Sequence, residues 1–276
     1  MIKYYLELEI GDKMGKVIAL VNQKGGVGKT TTSINLSASL GVLKKKTLLI
    51  DLDPQGNATT GVGIDKTSIR KSIYDLLIDN ATLDEVIIKT KFKNLSIIPA
   101  TVHLAGANVE LLEKGRTVPG FSKNNQLKKY LDVAKEDYDY IIIDCPPSLE
   151  LLTTNALTAA DSVIIPVQCE YFALEGIMQL LKTIMLVQKS LNKNLAIEGV
   201  LLTMLDGRTI LGLEVVEEVR KYFKEKVYDT IVPRLVKLSE APSHGKPILA
   251  YDPKNKGTEA YINLAKEVIE RNGNAW

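Results

Sequence analysis

Between Lys16 and Leu43 the chain changes character twice, in an order that few folds accommodate. An unbroken apolar run, KVIALVN (16–22), passes through QKGGVGKTTT (23–32) into a helical pattern that reaches Leu43. An apolar run that does not alternate reads as a strand covered on both faces. Gly25, Gly26 and Gly28 open backbone angles closed to other residues, as a tight turn from strand to helix requires. Strand, glycine turn and helix in this order make the first half of a parallel strand–helix–strand unit, so the rest of the chain has to supply parallel neighbours.

Those neighbours are legible. Strand-like runs recur at TLLIDLD (47–53), LSIIPAT (95–101), YIIIDCP (140–146), SVIIPVQ (162–168), IEGVLLTML (197–205) and VYDTIVP (227–233). Between and after them fall helical segments over Lys29–Leu43, Gln126–Lys135, Leu174–Leu191, Leu213–Phe223 and Thr258–Arg271. Ile177, Leu180, Leu181, Ile184 and Val187 recur at helix spacing, as do Ala260, Leu264 and Val268 beside Ile269. Thr82-Leu83-Asp84-Glu85 has the form of a capping box. The alternation predicts an α/β fold, a mostly parallel central sheet flanked by helices on both faces. With the glycine turn that ends Gly28-Lys29-Thr30, the expected fold is that of a P-loop NTPase. No linker, repeat or low-complexity segment interrupts it, so a single domain is expected over 14–276. Residues 1–13 are expected to be an extra tail or a misassigned start. Met14 could follow a ribosome-binding-like GGAG encoded within Gly11-Asp12.

The turn carries phosphate chemistry. The pattern G-x-x-x-x-G-K-S/T asks for a glycine five places before Gly28-Lys29-Thr30; this chain has Gln23 there, with a second lysine, Lys24, beside it. Successive N–H groups of Gly25, Gly26, Val27 and Gly28 can face phosphate oxygens, and the helix that opens at Lys29, Thr30 and Thr31 adds its positive end. Lys29 is the group expected at the β and γ phosphates, and the Thr30 hydroxyl is the expected magnesium ligand. Two acidic stretches end apolar runs: Asp51 and Asp53, on one side if the strand continues through them, and Asp144 in the position of a metal-holding aspartate. Phosphoryl transfer needs a carboxylate near the metal and a group that orients water.

KGGVGKTT resembles the deviant phosphate loop of the ParA/Soj and MinD partition-type ATPases. The resemblance implies that Lys24 crosses to a partner's phosphates in an ATP-sandwiched homodimer, making Lys24, Lys29 and Asp53 the catalytic set. DLDPQGN is similar to the family's second acidic motif, which assigns Asp53 to the attacking water and Asp51 with Asp144 to the outer shell of Mg²⁺. PVQCEYFALEG (166–176), VLLTMLDGRT (200–209), VPRLVKLSEAPSHGKPI (232–248) and YDPKNKGTEAY (251–261) extend the likeness to ParA/Soj from about Gly15 to Glu270. It places Met204, Pro233 and Arg234 near the base. It also implies non-specific DNA as a ligand, a ParB/Spo0J-like partner whose basic N-terminal tail stimulates slow hydrolysis, and a cytoplasmic, nucleoid-associated location.

Three features narrow the subtype. At most 14 residues precede the ATPase region that begins at about Gly15, so no helix-turn-helix domain for site-specific operator binding is expected there. The last helix mixes Lys266, Glu267, Glu270 and Arg271 rather than presenting a cationic face, against a MinD-like membrane-associated protein. The stretch 111–129 departs from the family pattern. A net charge of +2 permits a local basic face without implying one, so DNA contacts are sought among Arg208, Arg220, Lys224, Arg234 and Lys237. Cys145 and Cys169 lack cluster or metal spacing, which disfavours an iron–sulfur reductase like the nitrogenase iron protein; both read as buried thiols. His103 and His244 have no partner motif and are read as structural.

Overall fold

In the computed structural model, residues 14–170 and 173–273 are described; the 1–13 segment lies outside them. Seven strands form one sheet: β1 Lys16–Leu20, β2 Thr47–Asp51, β3 Ile88–Lys89, β4 Leu95–Ile98, β5 Tyr140–Asp144, β6 Ser162–Gln168 and β7 Ala196–Thr203. Their order is β3-β4-β2-β5-β1-β6-β7, parallel throughout except for the antiparallel β3–β4 edge. β1, the strand that feeds the glycine turn, therefore sits between β5 and β6, and the turn leaves the carboxyl end of the sheet at its middle. That is where open α/β sheets bind ligands.

The strands other than β3 divide their side chains between two cores. Val17, Ala19 and Val21 join one cluster and Ile18 and Leu20 the other; Ile141 and Ile143 part from Tyr140 and Ile142 in the same way. The first core is covered by helices Ala107–Thr117, Gln126–Ala134, Leu151–Ala159, Ala173–Ser190 and Ile210–Phe223. The second is covered mainly by helix Lys29–Val42 and the last helix, Lys256–Arg271, through Ile34, Leu40, Tyr261, Leu264 and Val268. The expected stripes face the core: Ile177, Leu180, Ile184 and Val187 are buried and Leu181 is half-buried against the same cluster, and Ala260, Leu264, Val268 and Ile269 are buried. The capping box at Thr82 and Glu85 forms.

One expected strand does not form. VYDTIVP meets the sheet only at two isolated bridges, Val200–Val227 and Leu205–Pro233. The backbone N–H groups of Asp229 and Thr230 turn away to the Glu267 carboxylate, at 2.9 and 2.8 Å, and Pro233 has no N–H to give. The seventh strand is instead β3, too short to show a periodicity. The 111–129 stretch contains the end of helix Ala107–Thr117 and the start of Gln126–Ala134. The second of these is capped from a distance: Asn155 Oδ1 accepts from the Gln126 and Leu127 N–H groups at 3.1 and 3.3 Å. A cap supplied by another helix leaves no local sequence signal.

Candidate nucleotide site at the carboxyl ends of the central strands

The glycine turn is held by three strand ends. Asn22, leaving β1, donates its side-chain amide to Pro166 O in β6 at 2.7 Å and accepts from Lys24 N–H at 3.0 Å. Thr203, at the end of β7, donates its hydroxyl to Val27 O at 2.9 Å. Gly26 and Gly28 have φ of 75° and 86°, in the left-handed region. A Cβ on Gly28 would find Met204 Cε and Thr203 Cγ2 at 3.8 Å, which is open enough, so the requirement for glycine is conformational rather than steric. Gly28→Ala is therefore expected to cost about 1–2 kcal/mol of stability and to weaken nucleotide affinity by misaiming the N–H row; paired thermal melts and titrations read both.

Lys29 opens the following helix and is buried under the turn, where its ammonium donates to Lys24 O at 3.2 Å. Burial lowers its pKa below the ordinary lysine value, and the nearby carboxylates of Asp144 and Asp53 act in the opposite direction. The carboxylates are brought together by strand register. Asp51 and Asp144 are direct neighbours on the parallel pair β2–β5, although the chain separates them widely. Both follow the parity of Leu49 and Ile142 and so face the helix that starts at Lys29.

These two acids are used differently. Asp51 Oδ2 accepts from the Thr59 N–H and hydroxyl, both at 2.7 Å, and Oδ1 accepts from Asp53 N–H at 3.2 Å. Its oxygens thus shape the turn carrying Asp53. Asp144 Oδ1 accepts from the Ser33 hydroxyl at 2.8 Å, while its buried Oδ2 has no protein partner. Burial pushes Asp51 up to about 6, against the Thr59 hydrogen bonds. Asp144 rises to about 7, through burial and then the Asp51 charge, against hydrogen bonds from Thr30 and Ser33. β2 ends at Asp51, so Asp53 lies in a bend and does not continue the strand's alternation; it is half-buried, with Oδ1 accepting from Gln55 N–H at 2.9 Å. Among the described residues no group of three His, Cys, Asp or Glu could cage a metal. A glycine cradle, a buried ammonium, Thr30 at the start of the helix and the unpaired Asp144 Oδ2 fit a polyphosphate that brings a hydrated divalent cation with it.

Lys24 behaves unlike Lys29. Its ammonium points out of the turn and lies 3.6 Å from Glu170, with 40% of the side chain exposed. Glu170 also holds Arg234 at 3.0 Å and accepts from the Gln168 amide at 2.6 Å. Met204, Pro233 and Arg234 line one cavity of about 130 Å³ with Gly28, Thr31 and Tyr261. Met204 has φ of 55°, a backbone state rare for a side chain of its kind and typical of residues held in place at functional sites.

The five cations considered for DNA separate into two groups. Arg208, Arg234 and Lys237 lie near the cavity, paired with Asp206 at 2.7 Å, Glu170 at 3.0 Å and Asp252 at 2.6 Å. Arg220 and Lys224 are exposed at the opposite end of helix Ile210–Phe223, about 20 Å along it. Cys145 and Cys169 are buried free thiols. Ser33, Thr59, Thr203, Asn22 and Glu170 were not singled out by sequence. Ser33 alone carried a signal, standing one helical turn after Lys29.

These parts in this arrangement define a P-loop nucleotide-binding protein of the kind with a second lysine in its loop. Residues 15–197 match the family model described as AAA domain. The chain is 62% identical over 255 residues to the sporulation initiation inhibitor protein Soj of Bacillus subtilis (strain 168), covering 92% of this chain and 98% of the relative. It is similar in structure to a cobyrinic acid a,c-diamide synthase from Mycobacterium smegmatis with bound ADP and magnesium, with a TM-score of 0.78, 36% identity, and 92% and 93% of the two chains covered. A septum site-determining protein MinD complexed with Mg-ADP, from Pyrococcus horikoshii OT3, matches at a TM-score of 0.78 and 28% identity, over 94% and 98% of the chains. The chain belongs to the ParA/Soj family of chromosome-partitioning ATPases.

Proposed function

We propose that the chain is an ATP-dependent dimerising switch: it binds DNA non-specifically as a dimer and is reset by hydrolysis that a ParB-like partner stimulates. The observation that carries the reading is the division between the two lysines. Lys29 fills the interior of the turn, whereas Lys24 lies at its mouth against Glu170, free to exchange that carboxylate for a second subunit's phosphates. Gly25 to Thr31 would cradle the triphosphate, and Thr30, with Asp51 and Asp144 behind it, would face Mg²⁺. When bound, Mg²⁺ supplies charge neutralisation at the β and γ oxygens. Asp53, carried on the turn that Asp51 shapes, would orient the attacking water, and Met204, Pro233 and Arg234 would flank the base.

Dimerisation doubles the number of phosphate contacts, and with it the slope of log affinity against log salt, so nucleotide state becomes DNA affinity without a separate reading domain. No helix among the described residues is long and apolar enough to cross a membrane. In the last helix Glu267 and Arg271 bind the 227–230 backbone, and the exposed Glu259 and Glu270 are acidic, so the helix offers no cationic face to lipid, which supports DNA as the polyanionic surface.

DNA co-sedimentation of wild type, Lys24→Ala and Asp53→Ala, with ADP or ATP at fixed low salt, tests the reading. Binding is expected only with ATP, lost in Lys24→Ala and longest-lived in Asp53→Ala. Equal binding with either nucleotide would mean that the basic residues act alone. No DNA binding together with co-sedimentation on anionic vesicles would favour a MinD-like role.

A further inference from the structure

The segment 227–234 is not a strand, yet its end, Val232, Pro233 and Arg234, lines one side of the cavity beside the glycine turn. Val232 N–H donates to Leu202 O at 2.9 Å, Leu205 N–H to Val232 O at 3.2 Å, and Arg234 N–H to Leu205 O at 3.1 Å. These bonds lay Val232–Arg234 along the end of β7. Immediately before them the backbone leaves the sheet, and what fixes its position there is the last helix. Glu267 accepts from Asp229 N–H at 2.9 Å and Thr230 N–H at 2.8 Å, and also from the Thr230 hydroxyl. A single residue, Ile231, separates that anchor from Val232.

The same helix reaches the cavity directly. Tyr261, less than two turns before Glu267, lines it, and its hydroxyl meets the Thr32 hydroxyl at 3.2 Å on the helix that opens at Lys29. One helix thus touches both sides of the cavity: the helix that carries Thr31 through Tyr261, and the backbone that leads into Pro233 and Arg234 through Glu267. Four residues beyond Glu267, Arg271 performs a separate task. Its guanidinium stacks on Tyr228 at 4.1 Å and donates to Val227 O at 2.9 Å and Glu198 O at 3.2 Å, so it holds the start of the segment, which Tyr228 N–H also ties to Val200 O at 3.0 Å, and not the turn at Asp229 and Thr230.

We infer that Glu267 is a positioning residue for nucleotide binding: its hydrogen bonds to Asp229 and Thr230 hold the Pro233–Arg234 wall at the spacing a purine base requires, which makes the last helix part of the nucleotide-binding apparatus. This rests on reading the cavity beside Met204 as the base site. Removing the carboxylate leaves the phosphate end untouched, since Lys29, Thr30 and the glycine N–H groups owe nothing to the last helix's carboxylate. It frees two backbone donors and lets the wall drift.

The test separates the base end from the phosphate end. Calorimetric titration of ADP and of inorganic tripolyphosphate, both with Mg²⁺, is made on wild type, Glu267→Ala, Glu267→Gln and Arg271→Ala. Glu267→Ala is expected to weaken ADP about tenfold and tripolyphosphate less than about twofold. Glu267→Gln, which keeps an acceptor for Thr230, is expected to recover most of the ADP affinity. Arg271→Ala should lower the melting temperature while preserving the ADP-to-tripolyphosphate ratio, which marks what a merely structural loss looks like. An unchanged ratio in Glu267→Ala, or equal weakening of both ligands, overturns the inference alone. A wild type that binds ADP no tighter than tripolyphosphate overturns the base-site reading and the inference together. Should Glu267→Ala not fold, Thr230→Val, which deletes the hydroxyl bond only, decides by the same ratio.

Discussion

Lys29→Met is expected to lower ATP hydrolysis roughly 10²–10³-fold while raising the melting temperature of the nucleotide-free protein. The two effects have one cause. The Lys29 ammonium is buried and has a single backbone acceptor at 3.2 Å, so the nucleotide-free chain holds a charge that only a polyphosphate would fully compensate. Its folded-state pKa is lowered below 10.5 by burial. Between those two values the unfolded chain binds more protons than the folded one, so stability rises with pH through that window and the charged lysine is a liability at neutral pH. Methionine matches the side chain's length without the charge and should add about 1 kcal/mol, some 2–4 °C for a chain of this size. Melts at pH 7 and pH 10 check the sign: the advantage of the variant shrinks at the higher pH. A variant less stable than wild type at pH 7 would mean that the carboxylates of Asp144 and Asp53 already compensate the ammonium.

Asp144→Asn should cut Mg²⁺-dependent hydrolysis by about 10²-fold and remove the Asp144 share of the pH dependence that the buried acid pair imposes on stability, leaving the share due to the burial of Asp51. Burial raises Asp144 to about 7 and Asp51 to about 6, above the 3.8 of a free aspartate. The folded chain therefore binds more protons than the unfolded one between about pH 4 and pH 7, and its stability falls as pH rises through that range. Asparagine keeps the Ser33 hydrogen bond to its side-chain oxygen and carries no charge. The variant is expected to melt near wild type at pH 5 and above it at pH 8 in chelator. Adding Mg²⁺ and nucleotide should reverse the ranking at pH 8, because wild type then gains a counter-charge that the variant cannot use. Identical slopes of melting temperature against pH in the two proteins would sink this account.

The sheet and its principal helices were legible because their rules are local. Continuous apolar runs at 16–22, 47–53, 140–146 and 162–168 have no other low-energy fate than strands covered on both faces. The failure at 227–233 has an equally physical origin. That run is apolar enough for a strand, but the donors of Asp229 and Thr230 are claimed by Glu267, almost forty residues later, and no propensity registers a competing acceptor so far along the chain. Helix Gln126–Ala134 was expected as a helical segment over Gln126–Lys135, whereas the cap that starts it, Asn155, sits in another helix.

Asp53 shows where the two levels meet. Its proximity to the phosphate turn follows from the motif, but its side does not, because β2 stops at Asp51 and the bend after it resets the alternation. The sequence by itself determined the phosphate turn, the residue types around it and the two-faced parallel sheet, since each depends on dihedral preference or side-chain periodicity within a few residues. Only the tertiary structure decided that Asp51 and Asp144 stand side by side, that Glu170 joins Lys24 to Arg234, and that Glu267 anchors the wall of the cavity. Those pairings depend on the order in which strands enter the sheet, and that order is set by the packing of whole helices over both faces rather than by any spacing along the chain.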